Sequence, residues 1–123
     1  MADPSRESIR AAEDLLEALA ELRRTTRTAE TDIRKAIKLA VDGADTASAL
    51  AALSPADTRQ TMNEALTSVE AARHAMRLEI FRHGLEEGMS IAALGRAFGF
   101  SRQLAQRFAK EAKAQGPRVS GRR

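Results

Sequence analysis

The chain of 123 residues contains no cysteine, no tryptophan and no tyrosine, and only three prolines. Without cysteine there is no disulfide framework, no Cys-based zinc site and no thiol chemistry. The N-terminus lacks an apolar leader core, and no apolar run approaches the ~20 residues that span a bilayer. These absences point to a cytoplasmic protein with no membrane role. Short alternating apolar–polar runs are missing and valine is scarce, which argues against strands. The four aromatic side chains, Phe81, Phe98, Phe100 and Phe108, all fall in the last third of the chain, so a dense core is expected only there. The remainder offers Ala, Leu, Ile, Val and Met at helical spacing, enough for thin helix–helix seams. Small proteins with thin cores often complete their burial by self-association.

Charge is distributed unevenly. Residues 1–70 hold nine Lys/Arg against thirteen Asp/Glu, residues 71–88 balance three against three, and residues 89–123 hold eight Lys/Arg against Glu111 alone. The net charge of +3 therefore conceals a C-terminal segment of +7. Cations concentrated in so short a segment attract a polyanion, whereas scattered ones merely keep a surface hydrated.

The pattern predicts an all-α fold: a long antiparallel helical hairpin, about 6–42 and 55–87, followed by a C-terminal helix-turn-helix. Ser5 is the expected N-cap of the first helix, with Pro4 outside it. Ile9, Ala12, Leu16 and Leu19 open a seven-residue frame that resumes at Ile33, Ile37 and Ala40 after a polar middle of Arg23, Thr26 and Glu30. Leu15 and Leu22 widen the stripe. The threonine-rich stretch 25–31 is where this helix would break. Asp42-Gly43 supplies a C-terminal stop, and 45–53 reads as a short alanine-rich helical turn. Ser54-Pro55 then signals a new start, serine as N-cap and proline in the first turn. Met62, Leu66, Val69, Met76 and Ile80 carry the second long helix. At ~1.5 Å per residue each long helix extends on the order of 50 Å. The expected organisation is 1–76 as hairpin and dimerisation region, 77–114 as the helix-turn-helix, and 115–123 as a flexible basic tail.

Residues 77–113 carry the functional signal. Leu78, Phe81 and Leu85 share a helical face, and Gly88 ends that helix. Ser90 caps a short helix 91–98, and Ser101 caps another reaching about Lys113. Only Gly99-Phe100 lies between, a tight turn at which glycine accepts a positive backbone angle. Leu94, Phe98, Phe100, Leu104 and Phe108 face inward as the motif core. Outside stand Arg102, Gln103, Gln106, Arg107 and Lys110. Arginine can pair bidentately with guanine and glutamine with adenine, while lysine reaches phosphate.

The string from Gly88 to Gln103, GMSIAALGRAFGFSRQ, resembles the helix-turn-helix of bacterial regulators. It is similar to the DNA-binding segments of resolvases and invertases and to the −35-reading region of sigma factors. The resemblance covers about 35 residues and implies a bacterial DNA-binding protein with a recognition helix at 101–113. It departs from the pattern at Gly95, where another small residue is usual, and nothing upstream resembles a nucleophilic-serine domain.

The expected partner is therefore double-stranded DNA, bound by a homodimer joined through its N-terminal helices. A dimeric transcriptional regulator would read bases with Ser101, Arg102, Gln103, Gln106 and Arg107. Ser90, Arg96, Lys110, Lys113 and Arg118 would contact phosphates. Alternatives of the same composition are a nucleoid- or plasmid-organising protein with little sequence preference, and an interaction module docking on the transcription machinery. Single-stranded RNA is disfavoured, because every phenylalanine has a core role and none is left for stacking.

No catalytic chemistry is expected. His74 and His83 are nine residues apart, on opposite sides of a helix at about 180°, and read as surface or seam residues. Glu86-Glu87 reads as a polar helix end, and Arg23, Arg24 and Arg27 as solvated or salt-bridged. No metal ligand set, cofactor motif or small-molecule pocket is evident. Arg118, Arg122 and Arg123 could follow a DNA backbone or simply aid solubility.

Overall fold

The computed structural model describes residues 4–115; the expected basic tail, with Arg118, Arg122 and Arg123, falls almost entirely outside them. Among the described residues the fold is all-α, with five helices: α1 (Pro4–Val41), α2 (Thr46–Leu53), α3 (Pro55–Glu86), α4 (Ile91–Phe98) and α5 (Arg102–Gln115). No helix among them is long and apolar enough to cross a membrane. The contacts divide the chain into two compact units. One is formed by the chain up to Leu15 with the chain from Ala72 onward, the other by Leu16–Ala71.

Helix α1 runs unbroken for 38 residues. It already includes Pro4 and Ser5, so the proline sits in the first turn, where its missing N–H is no loss, and Ser5 is not a cap outside the helix. The threonine stretch does not interrupt it. The Thr26 and Thr31 hydroxyls donate to the carbonyls of Leu22 and Arg27 one turn back, so these side chains are satisfied within the helix.

Burial along α1 corrects the expected frame. The covered positions include Ala11, Leu15, Ala18, Leu22, Thr25, Ala29, Asp32, Ala36 and Leu39, a regular 4-3 alternation, with Ala12 and Ala20 half-buried beside it. On α3 the covered positions up to Ala72, namely Thr58, Met62, Ala65, Val69 and Ala72, follow the same alternation, and beyond it nearly every residue to Leu85 is covered. This is the period of helices packed lengthwise. The frame of Ile9, Leu16, Leu19, Ile33 and Ile37 lies instead on the exposed side. The inward register is set by Leu15, Leu22 and Leu39 with small residues between them, which leaves the neighbouring frame of Leu16 and Ile37 facing out.

In the Leu16–Ala71 unit, Asp45 is the N-cap of α2, its carboxylate accepting from the Ser48 N–H at 2.9 Å. That hydrogen bond, together with one from the Ser48 side chain, holds the Asp45 carboxyl below its usual range. Ser54 does not cap α3 as expected. It terminates α2 in the left-handed region, with φ 49°, and its hydroxyl donates to the Ala51 carbonyl. Its own carbonyl accepts the Thr58 N–H, so a single residue closes one helix while the next begins.

In the other unit α3, α4 and α5 surround Phe81, which is completely buried. Its ring centroid lies 6.1, 6.2 and 5.8 Å from those of Phe98, Phe100 and Phe108. Leu78, Leu94, Ala105, Phe108, Ala109 and Ala112 complete this core, with Leu85, Ile91, Phe98, Phe100 and Leu104 packed against it. A buried ion pair accompanies it: Arg82 binds Glu79 and, at 3.1 Å, Glu86. The Ser8 hydroxyl donates to the Glu79 carbonyl, which ties the first turns of α1 to α3.

Candidate nucleic-acid interface

The surface of interest is built by α4, α5 and the connection between them. Ser90 accepts the Ala93 N–H at 3.0 Å and Ser101 accepts the Leu104 N–H at 3.1 Å. Both serines are thus N-caps, each with its hydroxyl proton still free to donate outward. The end of α4 is fixed by Gly99, whose φ of 74° lies in the left-handed region. Two hydrogen bonds close it, from the Gly99 N–H to the Arg96 carbonyl and from the Phe100 N–H to the Gly95 carbonyl. This 6→1 and 5→2 pair turns the chain while driving Phe100 inward. Phe100 then lies 4.7 Å from Phe108 and 5.1 Å from Phe98, centroid to centroid.

Close approach of α4 to α5 depends on Gly95. A β-carbon there would lie 2.8 Å from Cβ of Ala105, well inside van der Waals contact. The departure at this position therefore has a structural cause: the two helices are too close for any side chain. At Gly84 a β-carbon would meet Cδ2 of Leu94 at 2.7 Å, the far end of a side chain that can turn aside, so the constraint between α3 and α4 is softer.

With Leu104, Ala105, Phe108, Ala109 and Ala112 turned inward, the rest of α5 faces out. Arg102, Gln103, Gln106, Arg107, Lys110 and Lys113 are all exposed, as are Arg96 on α4 and the capping residues Ser90 and Ser101. None of these five cations forms an ion pair with a described residue. Glu111, the one acidic residue of the segment, is drawn off to the side, where it meets His74 Nε2 at 3.1 Å. Two shallow depressions of about 380 Å³ each flank the helix. Their floors are Ile91, Ala105 and Ala109, and their rims carry Arg96, Arg102, Gln106, Arg107, Lys110 and Lys113. The combination is an apolar-floored, cation-rimmed surface with amide groups at its centre. Of the positions expected to make contact, only Arg118 lies outside the described residues.

Two supporting contacts were not anticipated from the sequence. The Arg77 guanidinium lies 5.2 Å from the Phe100 ring centroid and 5.4 Å from that of Phe108, bracing the turn from behind by a cation–π contact. The His74 ring packs tilted against Phe108, centroids 5.3 Å apart, while it holds Glu111. Residues 74, 77 and 81 share a helical face, so their spacing carried the signal; the polar types at the first two concealed it. His83 is engaged locally with Glu87, and no group of His, Asp and Glu among the described residues could hold a metal ion.

No protein-family model, curated protein or solved structure matches the chain. The functional reading therefore rests on the surface itself.

Proposed function

We propose that the chain binds double-stranded DNA, with α4 and α5 acting as a helix-turn-helix and α5 entering the major groove, while α1 and α3 form a helical hairpin. The observation that carries this reading is the outward face of α5. Four cations without ion-pair partners and two glutamines crowd one side of a helix whose other side is locked to the core, and Arg96 of α4 adds a fifth beside them. An ordinary solvated helix would neutralise much of that charge locally, and here the one available carboxylate, Glu111, is turned toward His74.

In this reading Arg102, Gln103, Gln106 and Arg107 reach base edges, where a bidentate pair contributes about 1–3 kcal/mol of discrimination. Ser101 at the helix start donates to a base or its phosphate. Ser90, Arg96, Lys110 and Lys113 hold the flanking backbone. The apolar depressions beside α5 suit thymine methyl groups and sugar faces. Rigidity matters here: Gly99, Phe100 and Arg77 fix the angle of α5 before any ligand arrives, so little ordering is left for binding.

The fitting biological role is that of a transcriptional regulator. The test is a selection of bound duplexes from a random pool. A preferred sequence, in which Arg107→Ala relaxes the preference at one position, supports direct reading. A bound pool without preference assigns the surface to phosphate contacts and the protein to an organising role. No recovery of duplex above a protein-free control overturns the proposal.

A further inference from the structure

The exposed frame of α1 combines features that a solvated helix face does not need. Leu16 is 66% exposed, Ile33 46% and Ile37 57%, at the same seven-residue frame along one helix, with Leu19 also on that side. Singly scattered apolar residues such as Leu50, Leu66 and Met89 require no explanation. Two apolar clusters in one register, Leu16 with Leu19 and Ile33 with Ile37, do. Between them the apolar residues give way to Arg23, Thr26 and Glu30, all exposed. Neither Arg23 nor Glu30 has an ion-pair partner among the described residues. Side chains of α1 alone, Leu19, Leu22, Arg23, Thr26, Arg27 and Glu30, frame an open hollow of about 490 Å³ there.

We infer that this face of α1 is covered by the same face of a second copy of the chain, with the two helices antiparallel. The charge pattern decides both the occupant and the direction. A parallel pair in register would set Arg23 against Arg23 and Glu30 against Glu30, two like-charge contacts in the middle of the seam. Reversing one helix removes both. Leu16 then meets Ile33 of the other copy, Arg23 meets Thr26, and Ile37 meets Ala12. Glu30 lies a turn from Arg23 of the other copy, and Arg34 faces its Glu13. The patch thus supplies both sides of each pairing, as a twofold interface requires. The open hollow between side chains at its centre faces Leu19 and Arg23 of the other copy. Unlike the duplex-binding proposal, this inference uses no residue of α4 or α5.

Sedimentation equilibrium on the full chain tests it. The wild-type chain is expected to dimerise at micromolar concentration. Leu16→Asp, at an exposed position that leaves helicity by circular dichroism unchanged, is expected to give a monomer. Arg23→Glu alone and Glu30→Arg alone each place like charges across the seam and should raise the dissociation constant about tenfold or more. The double variant Arg23→Glu/Glu30→Arg restores the opposite pairing and should return to within about threefold of wild type. A wild-type monomer at every concentration, or a dimer indifferent to Leu16→Asp, overturns the interface. A double variant as weak as the singles overturns the antiparallel pairing. Duplex binding by a monomeric chain would leave the function proposed above standing while removing this inference.

Discussion

Gly95→Ala sets two effects of opposite sign against each other. Alanine in place of glycine inside a helix ordinarily stabilises by about 0.8–1.0 kcal/mol, because the unfolded chain has less freedom to lose. Here the added carbon would sit 2.8 Å from Cβ of Ala105, whereas carbon atoms rest at about 3.5–4.0 Å. Ala105 is buried and has no further side-chain torsion to relieve the contact. The strain must be met by moving α4 from α5 by most of an ångström, in a core where overpacking costs about 1–3 kcal/mol. Overpacking wins in the upper part of that range, leaving a net loss of about 1 kcal/mol. Urea denaturation of the full chain followed by circular dichroism measures it. Adding Ala105→Gly removes the opposing methyl and with it the strain, so the pair should show a favourable coupling of about 2 kcal/mol. A Gly95→Ala variant more stable than wild type would refute the claim that close α4–α5 approach is what selects glycine.

Other expectations are simpler. Ser54→Gly should stabilise by about 1 kcal/mol, since an L-residue in the left-handed region costs about 1–2 kcal/mol that glycine avoids; thermal denaturation reads the shift, and a destabilised variant would show that the Ser54 hydroxyl bond to Ala51 matters more. The lowered Asp45 carboxyl implies that its cap contributes fully above the usual carboxylate range and fades as pH falls through the lower folded value. Asp45→Asn should keep the cap and flatten that dependence, which acid titration of helicity in the two proteins would reveal.

Much of this molecule is legible in its sequence, and what is not has identifiable causes. Helix ends were readable because glycine at 43, 88 and 99 and serine at 90 and 101 specify backbone angles and caps locally. Ser54-Pro55 does mark the start of α3, but the Ser54 hydroxyl does not cap it, because the stop of the preceding helix demands the left-handed angle from the same residue. The α1 seam was misread for a different reason. The frame of Leu16 and Ile37 is as apolar as the covered one of Leu15, Leu22 and Leu39, whose intervening Ala11, Ala18 and Thr25 look unremarkable in a sequence. At the candidate surface the outward residues of α5 were legible because Phe108 and Leu104 fix the inward face by spacing alone. Arg77 and His74 were not, since long polar side chains packed on rings resemble solvated ones until the rings are placed. Gly95 was noticed as a departure but its cause, the methyl of Ala105, lies on another helix.

The central claim is that the outward face of α5 engages the phosphates and bases of a duplex. Fluorescence anisotropy of a labelled duplex, titrated over a range of salt concentrations, tests it most directly. Each phosphate neutralised contributes about −0.9 to the log–log slope of affinity on salt. The wild-type chain should show a steep slope, and Lys110→Ala combined with Lys113→Ala should make it shallower by about 1.8. A slope near zero, or one that the two substitutions leave unchanged, would contradict the account.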